Sequence, residues 1–78
     1  MNFLELTEKW EKAAWQFGGE AAANNLSNLF TAEDKEAVAN YYPNIKGAWL
    51  KIPVEAQQKA RLLFREGYAS EKKQSKRR

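Results

Sequence analysis

The chain is expected to be all-α: a single compact domain of four to five short helices over residues 1–70, followed by a frayed basic tail at 71–78. Three observations lead there. Apolar side chains recur every three to four residues, as on one face of a helix, and nowhere alternate at the period of a strand. Boundary residues fall at short intervals, at Gly18-Gly19, Thr31, Pro43 and Pro53. A length of 78 residues leaves room for one core and not for two.

The elements follow in order. Asn2 and Glu5 have the spacing of a capping box, and "FLELTEKWEKAAWQF" follows. At about 100° per residue, Phe3, Leu6, Trp10, Ala13, Ala14 and Phe17 fall on one stripe of this first helix. The Gly pair is expected to end it, since glycine readily takes the left-handed cap conformation. "EAAANNLSNLF", 20–30, reads as a second helix with Ala22, Leu26, Leu29 and Phe30 on one face. Thr31 caps a third helix, Ala32 to Tyr42, with Glu33 and Asp34 in its first turn and Pro43 as its stop. "NIKGAWLKI", 44–52, fits a short helix or a tucked loop: Ile45, Ala48, Trp49 and Ile52 have helical spacing, and Gly47 weakens it.

Pro53 suits the first position of a last helix, which presents Ala56, Ala60, Leu63, Phe64 and Gly67 on one face. Gly67 either ends that helix or lets another helix approach closely. Beyond Ser70 no apolar residue anchors the chain, so fraying is expected there. Short connections imply antiparallel or steeply crossed neighbours.

Composition excludes more than it assigns. The chain has no His and no Cys, so disulfides, zinc sites of the usual nitrogen and sulfur type, and the commonest catalytic bases and nucleophiles are all missing. Ser27, Ser70 and Ser75 stand in no nucleophile motif, and Gly18-Gly19 lacks the Lys and the spacing of a phosphate-binding loop. A non-enzymatic protein without a cofactor is expected. No apolar run is long enough to span a membrane, and the N-terminus lacks the basic start and apolar stretch of a signal peptide, which points to the cytoplasm. Ten aromatic residues compensate, by large buried area, for the small size.

The formal charge of +3 is unevenly spread. Residues 1–70 carry eight bases and nine acids, whereas 71–78 carry five bases and one acid. Within the body, 1–45 is net −4 and 46–70 net +3, so the acidic front and basic back are complementary and compatible with self-association.

Two function classes follow. The first is a small accessory or regulatory protein that binds a protein partner. Its anchors would be Leu4 and Trp15, which lie off the core stripe of the first helix, together with Tyr41, Tyr42 and Trp49 around the Pro43 turn, close to Lys46 and Lys51. The second is a nucleic-acid-binding protein that uses the basic end: Lys59, Arg61, Arg65, Lys72, Lys73, Lys76, Arg77 and Arg78. The nearly neutral body favours the first, because nucleic-acid domains usually carry their positive charge on the folded surface.

Overall fold

The computed structural model describes residues 3–75, and every regular element among them is helical. Helix α1 spans Lys9–Ala23, α2 spans Ala32–Tyr41 and α3 spans Val54–Ser75. Single 3-10 turns lie at Phe3–Glu5 and Trp49–Lys51. The all-α class is as expected, with three α-helices in place of four or five.

The difference arises at Gly18-Gly19. These glycines do not end α1, which runs through them to Ala23 and absorbs the start of the expected second helix. A β-carbon at Gly18 would overlap the Phe64 carbonyl oxygen of α3, and one at Gly67 would overlap the Trp15 carbonyl oxygen of α1. The glycines are therefore the places where two helix backbones touch. Gly67 likewise sits inside α3 and not at its end.

The stop comes at the asparagines. Asn25 takes the left-handed conformation with φ of 57°. Its N–H donates to the Ala22 carbonyl at 3.1 Å, and the Leu26 N–H donates to the Ala21 carbonyl at 2.8 Å. Those two bonds are the Schellman cap. Residues 24–31 then form a loop, so the second helix expected over 20–30 does not form as such, and Leu26 and Leu29, expected on its apolar face, are 58% and 68% exposed. Of the loop's apolar residues Phe30 reaches inward, with its ring 5.4 Å from Trp49 and 5.2 Å from Phe64.

At the front, the helix expected from Asn2 is split. Chain between the first 3-10 turn and α1 is irregular, and Glu8 precedes α1 in an extended conformation without a side-chain cap. Asn2 lies outside the described residues. The predicted stripe nevertheless holds: Leu6, Trp10, Ala13 and Ala14 are buried, and Phe17 packs against them. Thr31 caps α2 as expected, in a reciprocal capping box with Asp34.

Cross-helix contacts define the topology. Glu11 meets Lys59, Gly18 meets Phe64, and Asn25 meets Lys72, so partners advance together and α1 and α3 run parallel. Trp10, at the start of α1, stacks on Tyr42 just past the end of α2, with ring centroids 5.5 Å apart. Hence α2 is antiparallel to α1, and the arrangement is up-down-up. The 44–52 segment is a loop carrying one 3-10 turn, bent by Asn44 and Gly47 at φ of 64° and 63°. It tucks Trp49 and Ile52 into the core. Gln57 of α3 holds it there, donating from Nε2 to the carbonyls of Trp49 at 3.1 Å and Ile52 at 2.8 Å.

Helix α3 begins one residue after Pro53, whose carbonyl accepts the Gln57 N–H at 3.0 Å. It continues to Ser75, five residues past the Ser70 boundary drawn for the tail. No helix among the described residues is long and apolar enough to cross a membrane.

Candidate functional site

The five aromatic and apolar anchors expected on a docking surface separate into two groups. Trp49 is buried at 6% exposure and meets Phe30 edge-on. Trp15 is half-buried against the core, with its backbone pressed on Gly67. Its place off the main stripe of α1 is explained by α3, so that α1 is covered on two sides. Trp49 belongs to the core, and Trp15 packs against that core while keeping part of its surface open. Leu4 and Tyr41 remain on the surface, 90% and 51% exposed.

Tyr41 and Tyr42 line a cleft of about 930 Å³. One wall is Thr7, Glu8 and Lys9, the chain entering α1; the other runs from Asn40 to Lys46, the chain leaving α2. The antiparallel pairing of α1 and α2 brings these segments together. Tyr42 is held by its tilted contact with Trp10, whereas Tyr41, one residue earlier, projects toward solvent. Charge on the walls is mixed: Glu8 faces the cleft alongside Lys9 and Lys46. Thr7, Glu8 and Lys9 were not expected at a site, whereas Asn40 and Asn44 belong to the stretch around Pro43 that was. The start of α1 reaches that stretch because the two helices are antiparallel, which sets the beginning of α1 beside the end of α2.

The basic end also divides. Lys59 forms an ion pair with Glu11, Nζ to Oε2 at 2.7 Å, and the Glu11 side chain is nearly buried. That lysine is spent on holding α3 to α1. Lys72 is half-buried; its Nζ reaches the Asn25 Oδ1 at 3.4 Å and lies 5.7 Å over the Tyr68 ring. Arg61, Arg65 and Lys73 are exposed. At about 100° per residue, Arg61, Arg65 and Lys72 fall within about 40° on α3, and Lys59 lies on the opposite side. Lys76, Arg77 and Arg78 lie outside the described residues.

A further surface was not expected at all. Arg61 and Arg65 line a shallow depression with Leu62, which is 59% exposed, and a second one with Leu29 and Lys35. A sequence signal did exist for Leu62: it lies well away from the face defined by Ala56, Ala60, Leu63 and Phe64. Compared with protein-family models, curated proteins and solved structures, the chain has no significant match.

Proposed function

We propose that this chain is a small non-enzymatic accessory protein of the cytoplasm that binds a protein partner through the cleft between the start of α1 and the end of α2. One observation carries the reading: Tyr41 stands half exposed on the wall of that cleft, beside a Tyr42 ring already fixed against Trp10. A tyrosine presents a broad apolar face and a polar tip, and so suits a contact that is partly dry and partly wet. Trp10 stiffens the ground behind it, and Lys9, Glu8 and Lys46 supply a polar rim. Leu4 precedes Thr7 by three residues, within about 11 Å along the chain, and extends the apolar contact. The lack of His and Cys favours binding over chemistry.

The test places a photo-reactive phenylalanine analogue at Tyr41 and, as control, at Gln74, which is exposed and lies outside the cleft. A partner captured at position 41 and not at 74 would then be purified and titrated. Tyr41→Ala should weaken its binding about tenfold or more, with an unchanged circular dichroism spectrum. Equal capture at both positions, or an unchanged affinity for Tyr41→Ala, overturns the reading.

One observation favours nucleic-acid binding as the second reading: the clustering of Arg61, Arg65 and Lys72 on one sector of α3. Labelled oligonucleotides titrated at about 50 and 200 mM salt would show a steep salt dependence if phosphate contacts drive binding. Arg61→Glu with Arg65→Glu would then abolish it.

A further inference from the structure

The loop 24–31 and α3 together build a surface with a particular charge order. Leu29 lies at its middle. On one side, Leu29 shares a depression with Leu26, Glu20, Glu33 and Asp34. On the other side it shares one with Lys35, Arg61 and Arg65, and these arginines lead on to Leu62. The result is a continuous band: three acids, a pair of exposed leucines, three bases, and a further exposed leucine.

Most of these charges are free for a partner. Among the described residues, Glu20, Glu33, Lys35, Arg61 and Arg65 form no ion pair, and Asp34 is engaged only in capping with Thr31. The loop is also held firmly. Phe30 is inserted between Trp49 and Phe64, and the Tyr68 hydroxyl donates to the Leu26 carbonyl at 2.5 Å. Leu26 and Leu29 are thus displayed on a pinned segment, which lowers the entropy cost of burying them in a contact.

We propose that this band is a homodimer interface, in which a second copy of the chain packs on it across a two-fold axis passing beside Leu29. A two-fold axis lying in an interface brings one side of a patch onto the opposite side of the same patch in the other copy. With acids on one side of Leu29 and bases on the other, Glu20 and Glu33 of each copy face Arg61 and Arg65 of its mate. Leu29 meets Leu29 near the axis, and Leu26 and Leu62 fill the flanks. A uniformly basic partner would be repelled by the basic side, and a polyanion would be repelled by the acidic side and leave the leucines wet. A second copy satisfies both sides at once. The band shares no residue with the Tyr41 cleft, so dimerisation leaves that cleft open.

The test is sedimentation equilibrium of the full chain from micromolar to millimolar concentration, at low and high salt. A monomer–dimer equilibrium is expected, weakened as salt screens the charged pairs. Leu29→Asp, at an exposed position, should raise the dimer dissociation constant about tenfold or more, as expected for removing a buried leucine contact. The charge-reversed pair gives the sharper result. Arg61→Glu with Arg65→Glu makes both sides acidic, and Glu20→Lys with Glu33→Lys makes both sides basic; each should be monomeric alone, and the two mixed should dimerise. Should either fail to fold by circular dichroism, Leu29→Asp and the salt series decide. A wild-type monomer across the whole range, a dimer untouched by Leu29→Asp, or folded charge variants that do not associate on mixing would overturn the proposal. Oligonucleotide binding by a wild-type monomer, lost with Arg61→Glu and Arg65→Glu, would overturn it in favour of a polyanion site.

Discussion

Gly18 of α1 lies directly against the carbonyl group of Phe64 in α3: a β-carbon at position 18 would overlap the oxygen and stand 2.7 Å from the carbonyl carbon. Backbone, not a movable side chain, fills that space, so Gly18→Ala must push the helices apart. The overlap should cost about 3 kcal/mol, against roughly 1 kcal/mol gained in helix propensity. The melting temperature should fall by about 8–16 °C. Gly67→Ala should behave alike, because its β-carbon would overlap the Trp15 carbonyl oxygen. Gly19→Ala should do the opposite. Its β-carbon would meet the Gly67 oxygen at an ordinary 3.8 Å, leaving a propensity gain of up to about 1 kcal/mol. Thermal melts of the three variants check the contrast, and a destabilised Gly19→Ala would refute it.

The Glu11–Lys59 ion pair joins a nearly buried carboxylate to a half-exposed ammonium, at 2.7 Å. Lys59→Ala leaves the carboxylate desolvated without its partner. The cost should be about 1–2 kcal/mol, above a surface pair and below a fully buried one, because solvent still reaches Lys59. Replacing both, Glu11→Leu with Lys59→Met, should recover most of that loss. Denaturant melts arranged as a double-mutant cycle measure the coupling.

Thr31 and Asp34 cap α2 reciprocally. The Asp34 N–H donates to the Thr31 hydroxyl at 3.2 Å, and the Thr31 N–H donates to the Asp34 Oδ2 at 3.2 Å. Thr31→Ala should cost about 1 kcal/mol, whereas Thr31→Ser, which keeps the hydroxyl, should cost only a fraction of that. Chemical denaturation of the two variants side by side is the measurement.

The Tyr68 hydroxyl reaches across 42 residues of sequence to the Leu26 carbonyl. Tyr68→Phe keeps the ring and removes the donor, at a cost of about 0.5–1.5 kcal/mol. The loss should be local. Amide exchange over 24–31 should accelerate while the buried positions of α1 keep their protection. Uniform acceleration along the chain would contradict this assignment.

Legibility varied with how local the signal was. The α2 cap was readable because Thr31 and Asp34 are three residues apart and act within one turn. The stripe from Leu6 to Ala14 was readable because helical periodicity is a property of a dozen neighbouring residues. The Gly18-Gly19 pair misled because a glycine that caps a helix and a glycine that admits another backbone are the same residue in sequence. The competing signal, Asn24-Asn25, was present but lay inside an apparent helical face made by Ala22, Leu26 and Leu29. At the candidate sites, sequence brought out Tyr41 and Leu4 but gave equal weight to Trp15 and Trp49. Whether a tryptophan is an anchor or a core residue depends on what lies over it.

The sequence by itself determined the all-α class, the absence of His and Cys chemistry, the buried stripe of α1, the capping of α2 and the start of α3 beside Pro53. Each depends on residues within a turn or two of one another, or on composition alone. Only the tertiary structure decided that α1 passes through its glycines, that α3 lies parallel to it and covers Trp15, that Lys59 is committed to Glu11, and that acids and bases flank Leu29 on one surface. Those relationships join residues some 10 to 50 positions apart, and they depend on contacts such as the packing of Phe30 against Trp49 and Phe64, which no local stretch of sequence contains.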